Sequence, residues 1–491
     1  MKFTIPIEVQ VVAETLERAG YDAFLVGGCV RDLLLGRTPK DWDITTNAIP
    51  SEIQSLFVET FYENEYGTVG VVTESEDPRL KVIEVTPYRA EGEYTNARHP
   101  DEVTFGVTLQ KDLTRRDFTV NAIAYRPKTG ELVDEHGGKS DLDKKLLRAV
   151  GDPTKRFAED ALRMMRGVRL SAELGFAIEQ GTAEAIVAAA PKLKQISKER
   201  IRDELIKTLE TKEPMAAIAT FQRLGLLAYI APDLERGIGV SQNQAHSFDV
   251  YEHLLRAAQH AADKNWNTAV RIAALFHDIS KPETRRWSDE KRDWTFHGHE
   301  VVGARLTRRI LADLKFPKDI SEKVVALVRW HMFFSDPDKV TMSAVRRIIV
   351  NVGRENIWDL LNLRVCDRIG TGRPKEQPFR LRKYMAMVDQ ALRDPVTVGM
   401  LKIDGRGLMD TLGEKPGPRI GHMLHALLEE VLEDPTKNEL AWLQKRASEL
   451  KGLTEQQLVQ MGRSGRERQA EIEAEAVREI EEKWHVLGKD S

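Results

Sequence analysis

Asp41 and Asp43, in Asp41-Trp42-Asp43-Ile44, have the i, i+2 spacing that puts two side chains on one side of an extended strand. Two carboxylates so placed can hold a pair of divalent cations for in-line phosphoryl transfer. One cation activates an attacking hydroxyl, and the other holds a triphosphate and steadies the departing pyrophosphate. Just upstream, Phe24-Leu25-Val26-Gly27-Gly28-Cys29-Val30-Arg31-Asp32 reads as strand, glycine turn and helix start. Glycine lets a phosphate approach the backbone, and a helix N-terminus offers free N–H donors and a positive dipole end. Arg31 adds a forked cation. Glycine turns and Asp-x-Asp triplets are each common alone; their order and closeness make the pair specific. Glu84, in Val82-Ile83-Glu84-Val85, is a candidate third acid, or simply the polar face of an alternating strand.

A second constellation lies far downstream: His253, the adjacent His277-Asp278, His299, His331 and Asp367. Imidazole and carboxylate ligands together suit a hard to borderline divalent metal. A third feature is Asp160 with Arg163, spaced i, i+3 and so expected on one helix face. The carboxylate accepts and the guanidinium donates. Cytosine and adenine both present an amino donor beside an unprotonated ring nitrogen, so one Asp–Arg pair can suit both. Uracil and guanine present a carbonyl beside a ring N–H and would mismatch every donor and acceptor, which is costly in a closed site. A surface ion pair would have the same spacing. Arg163, Arg166 and Arg169 recur every three residues and form a basic stripe suited to base and triphosphate contacts.

The elements that must position these groups change character along the chain. Segments 23–29, 67–73, 81–89 and 121–125 are rich in Val, Ile, Phe, Tyr and Thr with turn residues between them, and read as strands. From Asp152 onward strand signals vanish and helical apolar periodicity takes over, as in 157–174, 200–209, 215–226 and 269–276. The helix over 157–174 is expected to stop at Gly175. Gly370-Thr371-Gly372-Arg373-Pro374-Lys375 reads as a loop or linker, and a further helical tail ends in an exposed charged helix. The fold class is therefore an α/β head followed by an all-α body.

The 491 residues are 41% hydrophobic and 31% charged, an ordinary globular balance. Two cysteines, Cys29 and Cys366, form neither a disulfide framework nor a cysteine zinc pattern, which fits a reducing, cytoplasmic compartment. No apolar run approaches a membrane span, and the first residues lack a signal-peptide core, so no membrane partner is expected. The formal net charge of −4 excludes generic polyanion binding; nucleic-acid contact must use local basic patches. The sequence leaves the oligomeric state unknown.

Residues 25–32 through Asp41-Trp42-Asp43-Ile44-Thr45-Thr46-Asn47-Ala48 resemble the head motif of the class II CCA-adding and poly(A) polymerase family, within the polymerase-β-like nucleotidyltransferases. Arg115-Arg116-Asp117-Phe118-Thr119-Val120-Asn121-Ala122 resembles that family's ribose and nucleotide motif. Asp134-Glu135-His136-Gly137-Gly138, with Asp141-Leu142 and Leu147-Arg148, resembles its hinge. Glu159-Asp160-Ala161-Leu162-Arg163 resembles its base-reading motif, and 196–209 the helix that supports it. The resemblance implies template-independent addition of C and A from CTP and ATP to the tRNA 3′ end. It implies Mg2+ on Asp41 and Asp43, and nucleotide contacts from Gly28, Arg31, Arg116, Asp117, Asn121, Asp160, Arg163, Arg166 and Arg169.

The order H…HD…D resembles the HD phosphohydrolase superfamily, which implies Mg2+ or a divalent transition metal on His253, His277, Asp278 and Asp367. His299 and His331 would then serve a second metal or a phosphate, in phosphatase or phosphodiesterase chemistry such as trimming damaged RNA 3′ ends. The expected organisation is a head at 1–148, a neck at 149–215, a body segment at 216–245, an HD domain at 246–370 and a tRNA-binding tail at 371–491. That tail carries Lys402-Ile403-Asp404-Gly405-Arg406-Gly407 and Lys415-Pro416-Gly417-Pro418-Arg419. Basic clusters at 192–202 and 373–383 are further candidates for phosphate contact, or plain solvated faces.

Three rival readings remain at this point. A poly(A) polymerase would be expected to carry a basic run where this chain has Tyr66-Gly67-Thr68-Val69-Gly70-Val71. CC-only enzymes of that family would lack a flexible loop between the first two motifs; this chain keeps one at 89–100, but has Asn96 where an Asp is common, which keeps A-only addition open. From another class, the chain could be chiefly a phosphohydrolase with an RNA-binding head.

Overall fold

The computed structural model describes residues 2–62, 67–91, 103–333, 340–392 and 397–463. Most of the 89–100 loop, including Asn96, and the charged C-terminal stretch lie outside these residues. The chain forms two compact units, Met1–Ile230 and Ala231–Ser491.

The first unit is built on strands β1 (Phe24–Val26), β2 (Asp43–Thr46), β3 (Thr60–Tyr62), β4 (Val69–Val72), β5 (Val82–Pro87), β6 (Arg89–Glu91), β7 (Val103–Phe105), β8 (Ala124–Arg126) and β9 (Glu131–Val133). Seven of them make one sheet in the order β3-β4-β5-β2-β1-β8-β9, and β6 and β7 pair separately. Only β2 with β5 is parallel within the large sheet; its other neighbours are antiparallel. In β5 the pattern alternates strictly. Ile83, Val85 and Pro87 are buried on one face, and Val82, Glu84 and Thr86 are half-buried on the other. A core of Phe24, Val26, Tyr88, Leu109, Leu113 and Ala124 packs under the sheet.

Behind the sheet, the expected single helix over 157–174 is two helices, Pro153–Glu159 and Leu162–Leu174. Asp160 sits between them in extended conformation, and its Oδ1 accepts from the Leu162 N–H at 3.0 Å. Asp competes for backbone donors in this way, so an Asp inside an apolar helical pattern is a natural break. The second helix does end at Gly175, which takes the left-handed conformation at φ 71°.

Short strands just before the helical region and within it escape the pattern of apolar residues. β10 (Leu146–Leu147) pairs with β11 (Ala177–Ile178), and β12 (Arg286–Ser288) with β13 (Asp293–Thr295). The last two form a hairpin closed by Trp287 on Trp294, with ring centroids 5.3 Å apart. Three-residue strands are too short to show a period.

In the second unit, helix Val250–Asp263 packs on Ile357–Gly370, and Thr268–Phe276 packs against both. The first is capped by Asp249 and the third by Asn267. Gly370 allows the close approach: a Cβ there would stand 2.8 Å from the His253 carbonyl and 2.9 Å from its Nδ1. Among the described residues, no helix is long and apolar enough to cross a membrane.

Candidate active sites of the two units

The head site grows from the turn after β1. Gly27 has φ 79°, and the helix Gly28–Leu34 starts directly behind it. A Cβ on Gly27 would lie 3.2 Å from an Arg116 guanidinium nitrogen and 3.4 Å from Asp43 Oδ2, so the bare turn lets acid and base converge. Asp43 opens β2 and stands in register with Glu84 on the parallel neighbour β5, both half-buried. Asp41 lies before the strand and is exposed. The arrangement is open on the solvent side, and its oxygen donors suit Mg2+, which takes one or two carboxylates together with substrate phosphates and water.

Supporting residues hold the flanks. Arg31 is buried; it donates to Asp32 at 2.7 Å and to Asn121 Oδ1 at 3.0 Å, which turns the Asn121 amide N–H groups the other way. Arg116 Nη2 lies 3.4 Å from Asp112, a wholly buried carboxylate that also binds Arg115 at 2.8 Å. Burial opposes ionisation of Asp112, but Arg116 and Arg115 overcome it and hold the carboxyl below its usual range. Burial, with Asp43 close by, pushes the Cys29 thiol up to about 12, which disfavours the thiolate.

The neck groups contact the head through ion pairs. Arg166 pairs with Asp117 at 2.9 Å. Burial disfavours the Asp117 charge, yet Arg166 and then Arg163 bring the carboxyl below its ordinary value. Arg163 donates to Glu159 at 2.5 Å and to the Arg115 carbonyl at 3.4 Å. Asp160 is held by both carboxylate oxygens on Arg200, at 3.2 and 2.6 Å. Arg169 is taken by Glu204 at 2.6 Å and Glu173 at 3.2 Å. Asp160 and Arg163 are thus neighbours across a helix start, not partners on one helix face, and the basic stripe is interleaved with acids.

The second unit draws its six expected groups into one buried cluster. His253 Nε2 is 2.9 Å from His277 Nε2, 3.0 Å from Asp278 Oδ2 and 3.6 Å from Asp367 Oδ1. His277 Nε2 is 3.3 Å from Asp278 Oδ2 and 3.7 Å from Asp367 Oδ1. On the other side of Asp278, its Oδ1 lies 3.2 Å from His299 Nε2 and 3.4 Å from His331 Nε2. His277, His299 and His331 place Nδ1 at 2.9, 2.6 and 2.7 Å from the carbonyls of Ala274, Phe296 and Val328. A ring that donates through Nδ1 keeps a bare lone pair on Nε2, the tautomer a metal requires. The donor set therefore fits a divalent metal.

Burial would lower the His277 pKa, but Asp278 and Asp367 raise it to about 9, so the pocket favours added positive charge. Burial resists ionisation of both carboxylates, but Lys281 holds Asp278, and Arg364 holds Asp367, well below the usual range. These centres open on a cavity of about 1160 Å³, whose wall includes Lys281, Arg364, Arg368, Arg373, Trp294 and Phe379.

Several of these side chains escape a reading of the sequence. Lys281 follows Asp278 by three residues and Arg364 precedes Asp367 by three, a helical spacing that was a usable signal. Asp112 precedes Arg115 and Arg116 at similar spacing. His246, which joins His253, Asp278 and Asp367 within 4.8 Å, stands in no pattern. Arg200 falls in the 196–209 helix expected to support the base-reading motif, but no spacing pairs it with Asp160, forty positions away.

A strand–turn–helix head with paired acids, a basic neck and a histidine–aspartate domain together define a nucleotidyltransferase fused to an HD module. Residues 23–148 match the family described as poly A polymerase head domain, 175–238 the probable RNA- and SrmB-binding site of polymerase A, and 250–366 the HD domain. The chain is 32% identical over 446 residues to the CCA-adding enzyme of Geobacillus thermodenitrificans, covering 89% of this chain and 96% of that one. It is 33% identical over 420 residues to the CC-adding tRNA nucleotidyltransferase of Thermus thermophilus, covering 84% and 90%. A solved CCA-adding enzyme of Bacillus stearothermophilus in complex with CTP superposes with a TM-score of 0.68 at 29% identity, covering 91% of this chain and 99% of that one. This chain belongs to the CCA-adding enzyme and poly(A) polymerase family of nucleotidyltransferases.

Proposed function

We propose that this chain adds C and A from CTP and ATP to the 3′ end of tRNA without a nucleic-acid template, in the cytoplasm. The observation that carries the reading is the register of Asp43 with Glu84 beneath the Gly27 turn, with Arg116 alongside. Asp41 and Asp43 would hold Mg2+, which when bound would offset triphosphate charge and acidify the attacking 3′-hydroxyl. The Gly28 end of its helix and Arg116 meet the triphosphate. Asn121, oriented by Arg31, presents N–H donors to the ribose. Arg166 sets Asp117 beside it, and Arg169 steadies the neck helix through Glu204.

Base choice rests on Asp160 and Arg163. A carboxylate has about four lone-pair sites, so Asp160 can keep Arg200 and still accept from an exocyclic amine. Arg163 donates to the adjacent ring nitrogen. The named relatives include CCA-adding and CC-adding enzymes, so the deciding experiment is extension of tRNAs lacking three, two or one terminal residues with each nucleotide alone and together. Addition of C, C and then A supports the reading. Addition of A alone, poly(A) growth or no addition overturns it.

A second reading concerns the other unit, whose converging Nε2 atoms favour metal-dependent phosphohydrolysis on His253, His277, Asp278 and Asp367. The basic wall of the cavity suits a phosphorylated RNA end. Phosphate release from a 3′-phosphorylated oligoribonucleotide, lost on chelation, is the check.

A further inference from the structure

We infer that Asp112 is a positioning residue of the head site: it holds the Arg116 guanidinium by one nitrogen and leaves the other at the Gly27 turn, to meet the triphosphate. The inference rests on the proposed reading of the head as a nucleotide site in which Arg116 contacts the triphosphate. Asp112 lies in the short helix Leu109–Thr114, and its side chain is wholly buried. Its two oxygens are divided. Oδ1 accepts from Arg115 Nε at 2.9 Å and from the Arg89 backbone N–H at 3.4 Å. Oδ2 accepts from Arg116 Nη2 at 3.4 Å and from the Thr45 hydroxyl at 3.5 Å. Thr45 belongs to β2, two residues beyond Asp43, so the carboxylate also touches the strand that Asp43 opens.

The Arg116 fork is divided in turn. Nη2 is on Asp112, while Nη1 lies 3.2 Å from the point where a Gly27 Cβ would stand, beside Asp43 Oδ2. Arg116 Nε is buried and has no hydrogen-bond partner among the described residues, so the Asp112 contact is what orients the fork. Burial opposes the Asp112 charge, yet Arg116 and Arg115 keep the carboxyl ionised. A buried ion pair adds little net stability, because desolvation offsets the attraction; what it can fix is geometry. A guanidinium suits this division, since its planar fork presents separate donors in fixed directions, whereas an ammonium is a point charge.

Equilibrium binding of CTP and of CMP to the full chain in EDTA, read by calorimetry, tests this without turnover. Asp112→Asn should weaken CTP binding about tenfold, the low end of what one charge-assisted hydrogen bond is worth, and leave CMP within about twofold of wild type. In an Arg116→Gln background the same substitution should cost nothing further, because Asp112 acts through Arg116. Additive losses, or equal losses for CTP and CMP, overturn the proposal and leave Asp112 a residue of the core alone. If Arg116→Gln weakens CTP binding and Asp112→Asn does not, the positioning role fails while the reading of Arg116 stands. If neither does, that reading fails and takes the proposal with it. Should Asp112→Asn not fold, Arg116→Lys decides. With its single nitrogen drawn onto Asp112, that variant should bind CTP as weakly as the Arg116→Gln variant, and wild-type affinity would refute the divided fork.

Discussion

The head and the histidine–aspartate unit each offer two aspartates as candidate metal ligands, but they present them differently. In the second unit Asp278 and Asp367 are buried, ion-paired and ringed by imidazoles whose tautomers the backbone selects. In the head, Asp41 is exposed and Asp43 half-buried. Among the described residues, the groups of three or more ligand atoms within 4.8 Å of one another both lie in the second unit. A buried N-rich centre can retain its metal between turnovers. An open pair of carboxylates is completed by substrate, since triphosphate oxygens fill the remaining Mg2+ positions. In the neck, Asp160 and Arg163 are already paired, with Arg200 and Glu159.

Asp43→Ala should break the head alone. Loss of several kcal/mol of charge stabilisation should reduce nucleotide addition on the order of 10³-fold or more, with tRNA binding and the metal content of the second unit intact. Primer-extension rates and elemental analysis read both. Comparable addition by Asp41→Ala and Asp43→Ala variants and wild type would remove the metal from the proposed head mechanism.

The converse substitution, Asp278→Asn, should abolish chelator-sensitive phosphate release while CCA addition continues at the wild-type rate. An equal fall in both activities would show that the two sites are not separable.

A smaller effect is expected at the base-reading pair. Asp160→Ala and Arg163→Ala each remove a charge-assisted hydrogen bond of about 1.5–3 kcal/mol, roughly 10- to 150-fold in discrimination of CTP and ATP over UTP and GTP. Arg200→Met should loosen selectivity by less, because Asp160 remains. Competition among all four nucleotides measures the ranking, and unchanged selectivity in both Ala variants would place base reading elsewhere.

The smallest effect separates metal-free from metal-loaded protein. The His277 pKa in the folded chain, about 9, exceeds its ordinary 6.5, so its protonation stabilises the fold fully below about pH 6.5 and is lost as pH rises through 9. Calorimetry of chelator-stripped protein should show the melting temperature of the second unit falling between pH 7 and 10. Metal-loaded protein should lack that slope, because the ion replaces the proton.

Much of the chemistry was legible because local geometry carries it. Asp41 and Asp43 are two residues apart, and His277 and Asp278 are adjacent, so chain connectivity alone brings each pair near. The glycine turn before Gly28 and the end of the neck helix at Gly175 follow from backbone sterics. The break at Asp160 was hidden, because Ala161 and Leu162 continue the apolar pattern while the Asp160 side chain takes the Leu162 N–H. The β12–β13 hairpin was hidden because its strands are three residues each.

Residue types and short spacings by themselves determined which groups could act: two acids after a glycine turn, an Asp and an Arg three residues apart, and an ordered set of histidines and aspartates. Tertiary structure alone decided their partners. Glu84 meets Asp43 through a parallel strand pairing, Arg200 reaches Asp160 across forty positions, Asp117 meets Arg166 across forty-nine, and Asp278 turns one oxygen to each histidine pair. Spacing in the chain controls geometry only within a turn or a strand. Beyond that, helix packing and strand register set the distances, and the burial they create fixes which charges and tautomers survive.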